Sequence, residues 1–361
     1  MSPPPPVTRR LATALALALV LAAAGCSSAA GGGAGASGLV GELTPIGAGL
    51  RGPDGLVATV YGRAPADLAA MAFDPQGRLW VSTAAYDDKG TDGVYLIARR
   101  GAPAVEVIKG LHTPLGLLWD GGELYVASKE RVDAYRGLVG SRFTSRRTVV
   151  RLPSGVGESN ALVRAPDGRL QLGISAPCDH CAPSSRYSAS IVSFRTDGGD
   201  LRVDARGLRA PVGLVYAPHS DDLYVTLDQR DDLGARTPGD WLAVVREGQD
   251  WGFPDCYGQG GTACRGVPSP VAELDAHAGV DGVAILSDEL GLSAADSAIV
   301  AEWATGRVQQ VRLRGDGTSA SGEVAPFLTG IEHPSAVVLA PTGHLLVADW
   351  TSGRIFEVAP S

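Results

Sequence analysis

The sequence has few of the residues that nucleic-acid-binding, haem and multicopper proteins depend on. It contains no block of lysine and arginine, and its 31 Lys+Arg are outnumbered by 39 Asp+Glu, for a formal charge of −8. Because phosphate binding depends on clustered positive charge, we expect no nucleic-acid partner. Only 6 His and 2 Met occur in 361 residues, which gives no support for a haem or multicopper centre.

The apolar run near the N-terminus is too short to span a bilayer. Residues 11–24 follow Arg9 and Arg10 and end in small residues before Cys26, whereas a spanning helix needs about 20 residues. A charged start, a short apolar segment and Gly-Cys resemble a bacterial lipoprotein signal. We therefore expect residues 1–25 to be a lipoprotein signal peptide and Cys26 to anchor the exported protein to the cell membrane, on the extracytoplasmic side. A plain secretory signal with a spare Cys26 is the alternative.

Residues 26–54 are predicted to form a flexible tether, because Gly, Ala and Ser dominate the stretch after Cys26. Treated as random coil, residues 27–52 would reach on the order of 28 Å. Cleavage before Cys26 removes two arginines and no acidic residue, which takes the net charge from −8 to −10. We expect neutral or cationic partners unless a local basic pocket intervenes.

The body, residues 55–361, repeats one pattern six times: an apolar strand, a Pro/Asp/Gly turn and a second apolar strand. Such self-similarity predicts an all-β, six-bladed β-propeller, whose blades use ~40–50 residues each. Steps between equivalent positions are 45–53 residues, except one of 76 that indicates an insertion at about 230–280. The alternative is a sandwich or two domains with generic β alternation. The equivalent positions are Leu79, Leu124, Leu170, Leu223, Ile299 and Leu345.

The last repeat lacks a fourth strand, while residues 56–61 form an apolar stretch without a repeat of its own. We expect this N-terminal strand to complete the last blade, because closure joins the chain ends and removes open sheet edges.

Four cysteines in the body suggest two disulfides, as expected for an exported protein. Three pairings are possible, and proximity favours Cys178–Cys181 with Cys256–Cys264. A zinc site built from all four sulfurs is the alternative. Cys178-Asp179-His180-Cys181 is not a haem attachment motif, because Ala182 follows it.

Among the scattered histidines, His277 and His333 precede apolar first strands, where propeller loops point at the central cavity. For each of these two histidines, a structural hydrogen bond explains its position at least as well as a catalytic role does.

A dense set of short motifs lies within residues 207–258. It comprises Gly-Leu-Arg-Ala-Pro-Val-Gly-Leu from Gly207, Arg-Asp-Asp-Leu-Gly from Arg230, Pro238-Gly239-Asp240, and Asp-Trp-Gly-Phe-Pro-Asp-Cys-Tyr-Gly from Asp250. This resembles the glucose/sorbosone dehydrogenase family of six-bladed propellers, and the resemblance covers residues 55–358.

The resemblance implies oxidation of an aldose or related sugar hydroxyl by pyrroloquinoline quinone (PQQ) bound with Ca²⁺ at the propeller axis, with a histidine as base. It implies that Arg209, Gln229 and Asp240 seat the cofactor and that carbonyl groups near Arg230 and Asp231 hold calcium. A tricarboxylate cofactor requires cations and hydrogen-bond donors. Each of these roles has an alternative. Arg209 could form a simple ion pair, and residues 228–232 could form a solvated loop or a structural calcium site.

This sequence departs from the family pattern at the base and at cationic positions. The family histidine position falls on Gly157, with Glu158 beside it; Glu158 or His333 is the candidate substitute. The segments Glu332-His333-Pro334-Ser335 and Glu302-Trp303-Ala304-Thr305-Gly306 lack the expected basic residues. The sequence thus leaves two hypotheses: a PQQ/Ca²⁺-dependent sugar dehydrogenase, or a non-catalytic cell-envelope propeller that binds a sugar or a protein partner in its axial cavity.

Overall fold

A computed structural model describes residues 41–87, 89–218, 220–258, 262–291 and 296–361. Its strands form six antiparallel sheets arranged as blades, which confirms the predicted six-bladed β-propeller. No helix in the described residues is long and apolar enough to cross a membrane. Cys26, with the signal peptide and the first part of the predicted tether, lies outside the described residues.

Each blade begins with its innermost strand and proceeds outwards. Blades 1 to 3 contain β4 (Leu68–Phe73), β5 (Leu79–Thr83), β6 (Asp92–Ile97) and β7 (Ala104–Leu111); β8 (Gly116–Asp120), β9 (Glu123–Ser128), β10 (Arg131–Val139) and β11 (Arg142–Arg151); and β12 (Ser159–Arg164), β13 (Leu170–Ile174), β14 (Ser190–Phe194) and β15 (Arg202–Arg206).

Blades 4 to 6 contain β16 (Ala210–Tyr216), β17 (Leu223–Asp228), β18 (Gly239–Val245) and β19 (Ala272–Ala276); β20 (Val280–Leu286), β21 (Ser297–Glu302), β22 (Arg307–Arg314) and β23 (Ser321–Thr329); and β24 (Pro334–Leu339), β25 (Leu345–Asp349), β26 (Arg354–Pro360) and β3 (Leu56–Arg63). Short 3-10 turns occur at Gly234–Arg236, Thr262–Cys264 and Gly317–Ser319.

The blades close into a ring in the predicted way. The N-terminal strand β3 pairs with β26, from Arg354 opposite Arg63 to Pro360 opposite Leu56. Each inner strand packs against the inner strands of its two neighbours, and β24 contacts β4. The hydrophobic core is divided into six clusters, one between each pair of adjacent blades; second strands such as β5 and β25 are buried throughout. This explains their continuous apolar sequences, since both faces pack against protein.

The Pro/Asp/Gly turns are fixed by local hydrogen bonds. In blade 1, Asp74 accepts from the backbone N–H groups of Gln76 and Arg78 at 3.0 and 2.9 Å and from Trp80 Nε1 at 2.9 Å. Gly77 adopts a positive φ of 74°, which glycine tolerates best. The turn residues therefore set the register of the two apolar strands they connect.

The predicted tether extends too far. Within residues 26–54, the structure has strands β1 (Thr44–Gly47) and β2 (Leu50–Gly52), which form a hairpin that extends the blade 5 sheet beyond β23. Ile46 and Leu50 are buried at 6% and 1% exposure against that blade. Two apolar side chains that find a partner surface outweigh the flexible composition around them.

The predicted insertion consists of two excursions from blade 4. One, residues 229–238, joins β17 to β18, and the other, residues 246–271, joins β18 to β19. The second contains the Cys256–Cys264 disulfide, while Cys178–Cys181 closes a loop of blade 3. The local disulfide pairing is thus confirmed, and the four-sulfur zinc alternative is wrong because the thiols are consumed in the two bonds.

Candidate functional site

An axial channel runs between the six inner strands. Its cavity of about 380 Å³ is lined largely by small and apolar residues. Glycines in the inner strands let neighbouring strands approach: a Cβ on Gly116 would lie 2.3 Å from the carbonyl oxygen of Asn160, and one on Gly213 would lie 2.5 Å from that of Asp281. These two glycines are therefore steric requirements of a closed ring.

At one end, the channel opens into a funnel of about 470 Å³. Inner strands begin and second strands end here, so residues distant in sequence converge. The channel and the funnel share Tyr86 and Asp281 in their walls and are continuous. The polar and aromatic side chains of the funnel wall are Tyr86, Glu158, Asn160, Ser175, Arg209, Asp228, Asp281, Trp303 and Trp350.

Asp281 is the central carboxyl group of this wall. Burial between the inner strands raises its pKa to about 8, because desolvation disfavours the charged form. At neutral pH most of this group is protonated and both donates and accepts hydrogen bonds. Burial, followed by the charges of Asp281 and Glu158, raises the pKa of Tyr86, although the residue as a whole is 59% exposed. Its φ of 54° is unusual for a non-glycine residue.

Asp228 and Asp240 form a buried pair beside the funnel. Asp240 accepts from the backbone N–H of Gln229 at 2.7 Å and from that of Val280 at 3.4 Å. Burial raises the pKa of Asp240 to about 6, and burial together with Asp240 raises that of Asp228 further. Asp228 is therefore the protonated member, and its Oδ1 has no hydrogen-bond partner within the described residues. Asp240 ties β18 to β17 and β20; it is Asp228 that borders the funnel.

Arg209, predicted to seat the cofactor, does lie in the funnel wall, but its charge is engaged. It forms an ion pair with Asp179, in the loop closed by the Cys178–Cys181 disulfide, and lies 4.0 Å from Asp231. Its Nε is buried without a hydrogen-bond partner in the described part of the chain. The environment of Arg209 thus supports the alternative that this residue forms an ion pair.

The other residues predicted to hold the cofactor and calcium lie outside the funnel wall. Gln229 accepts from the backbone N–H of Gly258 at 3.3 Å. Arg230 forms a bidentate pair with Asp232 at 2.7 and 2.8 Å and lies over the ring of Tyr257. No group of three or more His, Cys, Asp or Glu side chains is arranged to hold a metal ion within the described ranges. Calcium binding by the carbonyl groups near Arg230 and Asp231 stays a prediction.

His277 bridges two loops at the rim. Its Nδ1 lies 2.8 Å from Asp231 Oδ1, and its Nε2 lies 3.1 Å from the carbonyl oxygen of Gly234. Both partners are acceptors, so the arrangement favours the doubly protonated ring. The bond to Gly234, followed by that to Asp231, raises the pKa of His277.

The position of the family histidine cannot carry a side chain on this backbone. Gly157 has a φ of 111°, and a Cβ there would lie 2.0 Å from the carbonyl oxygen of Ser175. The neighbouring candidate base, Glu158, is exposed and reaches the funnel. The other, His333, donates from Nδ1 to the carbonyl oxygen of Trp303 at 2.8 Å and stacks on that ring at 4.1 Å. His333 thus supports the wall from behind.

Sequence reasoning missed Tyr86, Asp281, Trp303 and Trp350 as lining residues. Asp281 carries a signal that could have indicated it: an acidic residue immediately precedes the glycine of an otherwise apolar inner strand. Both tryptophans directly follow second strands, at the end where inner strands begin.

No protein-family model matches the sequence, and no curated protein does. Solved structures do match. The chain is similar to a Trichoderma reesei protein of carbohydrate-active enzyme family AA12 (17% identity, TM-score 0.71, 89% of this chain and 100% of that chain). It is also similar to PQQ-bound aldose sugar dehydrogenase from Streptomyces coelicolor (21% identity, TM-score 0.65, 85% of this chain and 99% of that chain). A third similar structure is apo soluble aldose sugar dehydrogenase from Escherichia coli (17% identity, TM-score 0.65, 85% of this chain and 100% of that chain). The resemblance to propeller sugar dehydrogenases is thus confirmed at the level of the fold.

The residues of the funnel do not fit PQQ, which is bound in the Streptomyces coelicolor structure. PQQ brings three carboxylates, whereas the described funnel wall presents Glu158, Asp228 and Asp281 and one arginine that already neutralises Asp179. Binding would bury three carboxylates in a partly desolvated cavity whose described wall offers no unpaired cation to neutralise them, which is strongly unfavourable. The wall instead combines aromatic faces with carboxyl and amide groups.

Proposed function

We propose that this protein binds a small hydroxyl-rich molecule, a sugar or related polyol, in its axial funnel and does not use PQQ there. The observation that carries the proposal is the composition of the funnel wall: three aromatic rings, three carboxyl groups and one engaged arginine. The fold similarity to two aldose sugar dehydrogenases supports the ligand class. Since sites and not folds carry function, the composition of the wall supports the binding hypothesis over the dehydrogenase hypothesis.

Each group has a role in holding such a ligand. The rings of Tyr86, Trp303 and Trp350 offer flat apolar faces to the C–H face of a sugar. The protonated Asp281 donates and accepts hydrogen bonds, and Asp228 adds a further polar group to the wall.

Calorimetry on the purified protein tests the proposal, with neutral mono- and disaccharides in one series and PQQ with Ca²⁺ in another. We expect saccharide binding that Tyr86→Ala weakens about tenfold and Tyr86→Phe preserves, because an aromatic contact contributes about 0.5–1.5 kcal/mol beyond its area. Tyr86 suits this test because its exposed ring supports no core cluster.

The dehydrogenase hypothesis makes the opposite prediction. A PQQ absorbance change and sugar-dependent dye reduction at saturating PQQ and Ca²⁺ would contradict the proposal, and loss of that activity in Glu158→Gln would then identify the base. Failure of every saccharide to bind would contradict it too.

We further propose that the protein is exported and anchored to the outer face of the cell membrane through Cys26. The signal-like N-terminus and the two disulfides support this location. Radiolabelled palmitate should be incorporated into the wild type and not into Cys26→Ser, which should appear in the soluble fraction. Labelling of the variant would contradict the anchor.

A further inference from the structure

A groove leads outwards from the funnel across the face of the propeller. Its middle section is a cavity of about 250 Å³ lined by Tyr86 and Glu158 at the funnel side and by Lys129 and Glu130 at the far side. The first two residues also line the funnel, and the last two also line an outer pocket of about 490 Å³. Funnel, middle section and outer pocket are therefore contiguous.

The outer pocket is basic in a chain whose net charge is −8. It is formed by the end of β7, the turn between β9 and β10, and β11. Arg131 and Arg146 both donate to Asp133, at 2.7 and 2.8 Å, so one buried carboxylate serves two guanidinium groups. Glu130 accepts from the backbone N–H of Gly155 at 2.7 Å. The cationic side chains of the pocket are Lys129, Arg131, Arg146 and Arg151.

Arg151 keeps hydrogen-bonding capacity for a ligand, whereas Arg131 donates to Asp133 and Thr148 and contributes positive charge. Arg151 is exposed, and no ion pair joins its side chain to another residue of the described ranges. Guanidinium groups favour carboxylate and phosphate oxygens, which they bind with paired donors.

The groove is electrically polarised. Its inner end carries the carboxyl group of Glu158 beside the mostly neutral Asp281, and its outer end carries the arginines. The inner and outer strands of blade 2, β8 and β11, are separated by three strand spacings, about 14 Å. A ligand that occupies both ends must be elongated, and its anionic group must lie at the outer end.

We propose that the groove binds an acidic oligosaccharide, with a sugar unit in the funnel and a carboxylate or phosphate group in the pocket formed by Arg131, Arg146 and Arg151. This inference rests on the proposed sugar-binding function and adds the ligand class and its orientation. Complementary charge then fixes the direction in which the saccharide lies.

Isothermal titration with three probes tests the inference: neutral maltotriose, trigalacturonate and maltotriose carrying a terminal phosphate. We expect at least one acidic probe to bind on the order of tenfold more tightly than maltotriose at low salt, and the advantage to shrink as salt rises. Arg151→Gln should reduce that probe to the affinity of maltotriose and leave maltotriose unchanged. Tighter binding of trigalacturonate would indicate carboxylate recognition, and tighter binding of the phosphorylated maltotriose would indicate phosphate recognition.

Arg142→Gln is the matched control, because Arg142 is an exposed arginine of the same strand, β11, that does not line the pocket. Equal affinity for acidic and neutral probes, or an equal effect of Arg142→Gln and Arg151→Gln, overturns the inference while maltotriose binding upholds the proposed function. If no probe binds, the proposed function fails as well. Arg151-dependent binding to anionic phospholipid vesicles without any saccharide preference would also overturn the inference, in favour of a lipid headgroup.

Discussion

Replacing Asp281 with asparagine should stabilise the protein, and the gain should grow with pH. Burial raises the pKa of Asp281 from 3.8 to about 8. Between those values the native state holds a proton that the unfolded chain has released, so stability falls as pH rises. Asparagine resembles the protonated carboxyl and does not titrate, so the variant avoids this loss.

The size of the effect follows from the pKa difference. Each pH unit inside this window costs about 1.36 kcal/mol, which gives at most about 4 kcal/mol between pH 5 and pH 8. Solvent in the channel reaches the partly exposed carboxyl group and reduces the cost, so we expect the difference between the two proteins to grow by about 2–3 kcal/mol over this range.

Urea denaturation of wild type and Asp281→Asn at pH 5 and pH 8 measures this growth. The other carboxyl groups with raised pKa values titrate in both proteins, so their contributions largely cancel; Asp228 is the exception, because the charge of Asp281 helps to raise its pKa. Asp221→Asn removes an exposed charge and serves as the control for net charge. A stability difference that does not change with pH, or equal growth in the control, would refute the assignment of a neutral Asp281 in the channel.

Three further predictions concern stability and protonation. Gly157→Ala should lower the free energy of unfolding by about 3 kcal/mol or more, since its Cβ would overlap the Ser175 carbonyl. Gly155 also has a positive φ, of 72°, but its Cβ would meet open space, so Gly155→Ala should lose about 1 kcal/mol in the same urea titration. An NMR titration should show the pKa of His277 above its ordinary value, and the Asp231→Asn variant should show a lower His277 pKa than the wild type. The contacts of protonated His277 stabilise the rim fully below about pH 6.5, and this contribution declines as pH rises through the raised pKa. An unchanged His277 pKa would contradict the bridge. Leu50→Ala should cost about 2–4 kcal/mol because the side chain is 1% exposed against blade 5; a cost near zero would indicate that the β1–β2 hairpin does not support the fold.

The repeated pattern was sufficient to predict the architecture. Apolar alternation and turn residues act over a few positions, and the six copies fix the number of blades without any knowledge of long-range contacts. The pairing of β3 with β26 was predictable because only one unpaired strand and one incomplete blade were available. The disulfides followed from sequence proximity.

The site depended on contacts between blades, which no local pattern encodes. Motif matching selected Arg209 but could not reveal that Asp179, 30 residues away, engages its charge. It identified Gly157 as the replaced histidine, but only the carbonyl oxygen of Ser175 shows why no side chain fits there. The β1–β2 hairpin was missed because its apolar residues gain their burial from blade 5, at the opposite end of the chain.

Local sequence thus determined the strands, the turns and the number of sheets, because these depend on neighbouring residues. Tertiary structure decided which side chains face the axis, which of them are desolvated, and how the acidic funnel connects to the arginines of blade 2. Charge, protonation and ligand preference depend on distances between residues far apart in the chain, and those distances exist only once the ring is closed.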